Sequence, residues 1–227
     1  MGATFRPLDA AITVRTGSDR ATLVRRTYTL VFATVLVTMA GTWFGMSQPA
    51  IMGAVLRHPF LTMLCTFAPL FFALQLRDAF PANLGLVVLF TFVEGIAISP
   101  LIYFYSKTSP GLVSQAAVLT GSTFAVLTLY AWVSRRDFSA WGGFFTVGLW
   151  VLIATSLLNL FFRNETASLW LAGATTFVFG GLLVFDTWRL RNVYGPNDYV
   201  QAAVAIYLDL LNLFLAILRL LGGRRSD

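Results

Sequence analysis

Seven stretches of this chain are apolar over roughly 18 to 23 residues, and short polar links separate them. They run about Thr27–Met46, Pro59–Leu76, Leu84–Tyr105, Leu112–Val133, Trp141–Phe162, Ser168–Trp188 and Tyr199–Leu221. At about 1.5 Å of rise per residue, each is long enough for a hydrocarbon layer of about 30 Å. None shows the roughly ten-residue alternation of a membrane β-barrel strand. The pattern predicts an all-α membrane protein, a seven-transmembrane-helix bundle. Pro100 is expected to kink the third span. Residues 1–25 read as a polar, basic, mostly disordered tail, residues 26–222 as one bundle and residues 223–227 as a short second tail. No length remains for a separate soluble domain.

The last span organises the rest. It reads YVQAAVAIYLDLLNLFLAILRLL and carries Asp209 in its middle. A carboxylate at that depth costs roughly 2.5–3.5 kcal/mol on insertion scales. Steps of three and four residues give Ala202, Ala205, Asp209, Asn212, Ala216 and Arg219, one helical face of small and polar residues. Ile206, Leu210, Leu213 and Ile217 fall elsewhere. The polar face should turn to the protein interior, so this C-terminal helix is predicted to be central.

Composition agrees with the pattern. Hydrophobic residues make up 57% of the 227 and charged ones 11%, against about 25% charged in soluble domains. The net charge of +6 is no sign of a nucleic-acid partner, because the basic residues lie between apolar spans and set topology. Ten of the sixteen fall on the side of the N-terminus, so that end is expected in the cytoplasm. Seven spans then put the C-terminus outside. Arg219, Arg224 and Arg225 keep a rival open, a re-entrant last segment with the C-terminus inside. The single cysteine, Cys65, excludes an internal disulfide and is expected to be a small buried hydrophobe. The single histidine, His58, sits beside Pro59 in a link. Ala172, Thr176 and Gly180 form a small-residue seam in the sixth span.

Five polar groups inside the spans need partners: Glu94, Asn159, Asp186, Asp209 and Asn212. The two asparagines read most simply as interhelical hydrogen-bonding groups, and Asn212, one turn from Asp209, could orient that carboxylate. Asp186 reads either as a helix-end residue paired with Arg189 or as a functional group. Glu94 lies midway through the third span. Phosphate loops, Cys/His metal clusters, HExxH and GxSxG are absent, and FDTW and YLDLL lack the glycine-flanked form of an intramembrane aspartyl protease. No enzyme and no cofactor is therefore expected. If Asp186 and Asp209 meet, they cannot both ionise cheaply and titrate as one unit. Sharing a proton ties the two helices together, and losing it leaves two anions that repel. Such a pair is a pH-sensitive gate and can offer hard oxygen ligands to a passing Ca²⁺. Arg77, at the end of the second span, is a candidate cation for it. Pairing requires the last helix to start a turn or two above the bilayer, and Pro196-Asn197-Asp198 suits such a start.

The stretch DYVQAAVAIYLDLLNLFLAILRLLG resembles the C-terminal signature of the Bax inhibitor family, the group with the transmembrane Bax inhibitor motif. Tyr207, Leu208, Asp209, Asn212, Leu213, Phe214, Leu218 and Arg219 fall in place. LLVFDT is similar to the family's sixth span, and Gly121–Phe124 and Asn159-Leu160-Phe161 also fit. The resemblance implies a seven-helix bundle around its last helix and a proton-regulated Ca²⁺ leak. It places Asp186 and Asp209 on a di-aspartyl pH sensor, with transient calcium there, and Arg77 on the arginine that latches it. Glu94 stands where the family is usually small and uncharged, which makes it a possible path residue beside Asn159, Asn212, Tyr207 and Arg219. Two alternatives accompany this reading: a proton/calcium exchanger, and a regulatory protein that binds other membrane proteins such as a quality-control protease. The expected location is a bacterial inner membrane.

Overall fold

The computed structural model describes residues 17–76, 79–162 and 164–223. Every regular element among them is a helix: α1 (Gly17–Ser47), α2 (Pro49–Arg57), α3 (Pro59–Gln75), α4 (Ala82–Thr108), α5 (Leu112–Val133), α6 (Ser139–Phe162), α7 (Glu165–Asn192) and α8 (Tyr199–Gly223). Six of these are long and apolar enough to cross a membrane. The bent pair α2 and α3 makes a seventh if counted as one broken span. Phe60, Trp43, Trp150, Phe162 and Trp170 point outward and are largely exposed, as a lipid-facing surface requires. The chain is an all-α membrane protein.

The second span departs from the straight Pro59–Leu76 segment that its hydropathy suggests. α2 and α3 meet at 102°, and the bend sits at His58, with φ −126° and ψ 61°. Pro59 causes it, because proline lacks an N–H and excludes the helical conformation from the residue before it. Cys65, expected to be buried, is exposed on α3. α4, by contrast, runs through Pro100 as one helix. The N-terminal boundary moves too, since α1 begins at Gly17, inside the expected tail. Leu23 explains this by packing with Leu190, Tyr194 and Ala202. Asp19 also lies in the helix's first turn, where a negative charge favours the dipole. Residues 1–16 and 224–227 lie outside the described residues.

α8 occupies the centre, packed against α7, α1, α5 and α4. Its predicted polar face is only part of what it buries. Ala202, Asp209 and Ala216 are buried, but so are Ile206, Leu213 and Ile217. Arg219, at the far end, is exposed. A central helix has neighbours on all sides, and periodicity cannot reveal that. α8 is also one continuous helix of 25 residues, about 37 Å long, rather than a re-entrant pair.

α1 and α4 approach most closely. A side chain on Gly95 would meet the backbone of Thr38 and Thr42, and one on Gly41 would meet the backbone of Phe92. Across this contact the Thr38 hydroxyl, 2.9 Å from Thr34 O on its own helix, also reaches Thr91 O at 3.1 Å, and the Thr42 hydroxyl, 2.9 Å from Thr38 O, also reaches Gly95 O at 3.1 Å. Small residues let the backbones touch, and hydroxyls then bond across them. The Ala172, Thr176 and Gly180 seam packs more loosely; the nearest neighbour to a Cβ on Gly180 is Leu127, at 3.4 Å.

Asn164 starts α7, its side chain accepting the N–H of Ala167 at 3.0 Å. Asn164→Ala should cost about 1 kcal/mol, lowering the melting temperature by about 2–4 °C for a chain of this size. Asn164→Asp should restore it.

Candidate functional site

α7 and α8 form a hairpin of antiparallel neighbours joined by residues 193–198. The link is closed by its own polar groups: Asp198 N–H donates to Gly195 O at 3.1 Å, and Gly195 N–H donates to Asp198 Oδ2 at 2.6 Å. The Asp198 carbonyl accepts from Ala202, so α8 starts at Tyr199, as the Pro196-Asn197-Asp198 turn suggested. Asp186 is six residues from the end of α7 and Asp209 ten residues from the start of α8. The difference of four residues, about 6 Å, places the start of α8 one turn beyond the end of α7. That offset brings the two carboxyls to one level.

Asp186 and Asp209 are 7% and 4% exposed, and their carboxyl groups face each other between α7 and α8. Carboxylate oxygens only accept, so the two can bond directly only while one of them carries a proton. Asp186 Oδ1 also accepts from Arg189 Nη1 at 3.1 Å, an ion pair one turn along α7. Asp186 is thus the helix-end partner of Arg189 and at the same time a neighbour of Asp209. Asp209 Oδ2 is buried with no hydrogen-bond partner among the described residues, as are the hydroxyls of Thr187 and Tyr194.

Arg189 and Tyr194 close the site towards the link. The guanidinium lies 4.6 Å from the ring centre of Tyr194 and 5.5 Å from that of Phe185. Such contacts hold an arginine in one place while its charge faces a carboxylate. Burial pushes the Tyr194 phenol up to about 12, and the nearby charge of Asp186 adds to this. Between pH 6 and 8 it is a neutral hydroxyl and takes no part in titration. Sequence reasoning named Arg189 only as an ion-pair partner and missed Tyr194. The one available signal was an aromatic residue inside the polar link RNVYGPND.

Among the described residues, the other candidates are not brought to the pair. Glu94 is half-buried on α4, in the row Phe90–Glu94–Ile98 whose ends pack on α8, and in electrostatic contact with Tyr207. Tyr207 shares a 2.7 Å hydrogen bond with Thr38 Oγ1 and lies edge-on to Phe90. Tyr207 and Asp209 are two residues apart, about 200° around the helix, so Glu94 and the aspartate pair lie on opposite sides of α8. Asn212 does not orient Asp209; it donates to Leu208 O within its own helix at 2.8 Å. Asn159 accepts from Asn164 N–H at 3.2 Å across the α6–α7 turn, not between helices in the core. Asparagine finds such local partners readily. Arg77 lies outside the described residues. Among those residues there is no group of three or more His, Cys, Asp or Glu side chains able to hold a metal.

A helical bundle around a central helix, with a carboxyl pair buried between its last two helices, defines a polytopic membrane protein with an ionisable core. Known proteins narrow this further. Residues 20–226 match the family model described as Inhibitor of apoptosis-promoting Bax1. The chain is 35% identical over 205 residues to Protein lifeguard 4 of Mus musculus, covering 89% of this chain and 85% of the relative. It is 33% identical over 214 residues to Bax inhibitor 1 of Schizosaccharomyces pombe, covering 92% and 79%. An uncharacterised protein of Campylobacter jejuni is 31% identical over 215 residues, covering 92% and 91%. The chain belongs to the Bax inhibitor family.

Proposed function

We propose that this protein is a pH-gated cation leak, chiefly for Ca²⁺, with Asp186 and Asp209 as the gate. The observation that carries the reading is the contact of two buried carboxyls between α7 and α8, with Arg189 on one of them. While the pair shares a proton, it ties the two helices together. When the proton leaves, two anions face each other in a poorly solvated core and push the helices apart. Calcium would pass as cargo, with the aspartate oxygens as transient ligands. The proposed location is a cell membrane with the N-terminus in the cytoplasm.

The test is Ca²⁺ flux into proteoliposomes at pH 6, 7 and 8. Flux that changes with pH supports the gate, and no flux above empty liposomes at any pH overturns it. An imposed proton gradient that drives Ca²⁺ uphill would make the protein an exchanger instead.

A second reading is a regulatory protein that binds other membrane proteins, a membrane protease among them. The family description, which names inhibition of another protein, favours it. Deleting residues 1–16 leaves α1 intact. Loss of partner capture with flux retained would assign the binding role to the tail.

A further inference from the structure

At the end of the bundle that holds the start of α1, a cavity of about 1220 Å³ opens between α1, the facing ends of α3 and α4, and the first turn of α8. It is larger than the roughly 300–1,000 Å³ of a typical small-molecule pocket. Arg25, Arg26, Asn197 and Gln201 line its rim, and Leu30, Ala33, Leu74 and Leu84, with Thr29 and Asn83 among them, line it further in. From Arg25 to Ala33 is eight residues of α1, about 12 Å of descent into the span.

The rim favours an anion. Arg25 and Arg26 are both exposed, and Arg26 is steadied over the Tyr199 ring at 5.8 Å. Among the described lining residues the acidic one is Asp198, which is held on the Gly195 N–H and is outnumbered by the two arginines. The first turn of α8 adds the positive end of a helix dipole to the two guanidiniums. A soluble phosphate would use the rim alone and leave the apolar wall against water. An anionic phospholipid uses both, with its phosphate at the arginines and its upper acyl chains against Leu30, Leu74 and Leu84. Two arginines at a membrane surface, each worth about 1 kcal/mol, correspond to a preference of about tenfold or more for an anionic headgroup.

We propose that this cavity between α1, the facing ends of α3 and α4, and the start of α8 is a binding site for an anionic phospholipid. The proposal is independent of the ion-leak reading.

Native mass spectrometry of the delipidated full-length protein tests it, using phosphatidylglycerol and phosphatidylcholine with identical acyl chains. Wild type should bind phosphatidylglycerol about tenfold more tightly, and Arg25→Gln/Arg26→Gln should reduce the preference to less than threefold. Arg135→Gln/Arg136→Gln removes the same charge from the α5–α6 link and should keep the full preference. Equal binding of the two lipids by wild type overturns the site. So does an equal loss in both double variants, which would mean general surface charge. Displacement of phosphatidylglycerol by millimolar inorganic phosphate also overturns it, in favour of a soluble phosphate ligand.

Discussion

Gly95→Leu should abolish recovery of folded protein, whereas Gly85→Leu on the same helix should behave like wild type. A Cβ at Gly95 would land on the Thr38 carbonyl and close to the Thr42 nitrogen, both backbone atoms of α1. Backbone cannot rotate aside as a side chain can, so α1 and α4 must separate. Overpacking that forces backbone shifts costs about 1–3 kcal/mol or more. Separation also breaks the Thr38–Thr91 and Thr42–Gly95 hydrogen bonds, each worth about 0.6 kcal/mol between membrane helices. It further opens the Tyr207–Thr38 contact that ties α8 to α1. The total approaches the whole stability of a small domain, about 5 kcal/mol at the low end. At Gly85 a new Cβ meets nothing within 4 Å. Detergent-extracted yield, a single size-exclusion peak and the melting temperature are the readouts. A monodisperse Gly95→Leu variant melting within a few degrees of wild type would show that the α1–α4 contact is not close.

Much of the fold was legible because a bilayer leaves few choices. Seven long apolar segments meant a bundle of membrane-length helices, of which six stand as single spans and α2 with α3 makes a seventh only if the bent pair is counted as one; a carboxylate in the last segment meant that helix had to be central. The bend at His58 was not read, although Pro59 and the apolar run before Arg57 were both in view. Hydropathy registers α2 and α3 as apolar without saying whether they are collinear. The closest helix contact was also missed. Thr91, Gly95 and Ser99 recur every four residues on α4 and face α1, but the seam picked out from the sequence was on α7. Spacing of small residues marks surfaces that can pack closely; it does not say which partner takes them.

The site divides in the same way. Asp186 and Asp209 were visible because charge inside an apolar run is costly and demands a partner. Their meeting depended on the register of α7 and α8, which the Gly195–Asp198 turn sets. Asn159 and Asn212 were read as interhelical groups, yet an asparagine on a helix has its own backbone within reach and uses it. Tyr194 was invisible because nothing in the link shows that its ring folds back over Arg189. Glu94 stood out as an acid midway through a span, but the angular distance between Tyr207 and Asp209 around α8 separates it from the pair.

Asp209→Asn should give a Ca²⁺ flux that no longer varies with pH and stays at the level wild type shows at the acidic end. The reasoning rests on what asparagine can donate. Its amide matches the carboxyl in size and offers an N–H to Asp186 at every pH, so it mimics the proton-sharing state and cannot be discharged. A hydrogen bond to a charged group contributes about 1.5–3 kcal/mol, which corresponds to a tenfold or greater change in the balance between tied and parted helices. Wild type should therefore change flux by about tenfold between pH 6 and 8, and the variant by less than twofold. Asp209→Leu fills similar space but donates nothing, leaving Asp186 held by Arg189 alone. It should also lose the pH response, but at the alkaline-side level, because no bond ties α8 to α7 there. The two variants thus bracket the wild-type curve from opposite ends. Matching melting temperatures would show that both are folded. Identical flux in the two variants would mean that the Asp186–Asp209 contact does not set the open state, even if pH does.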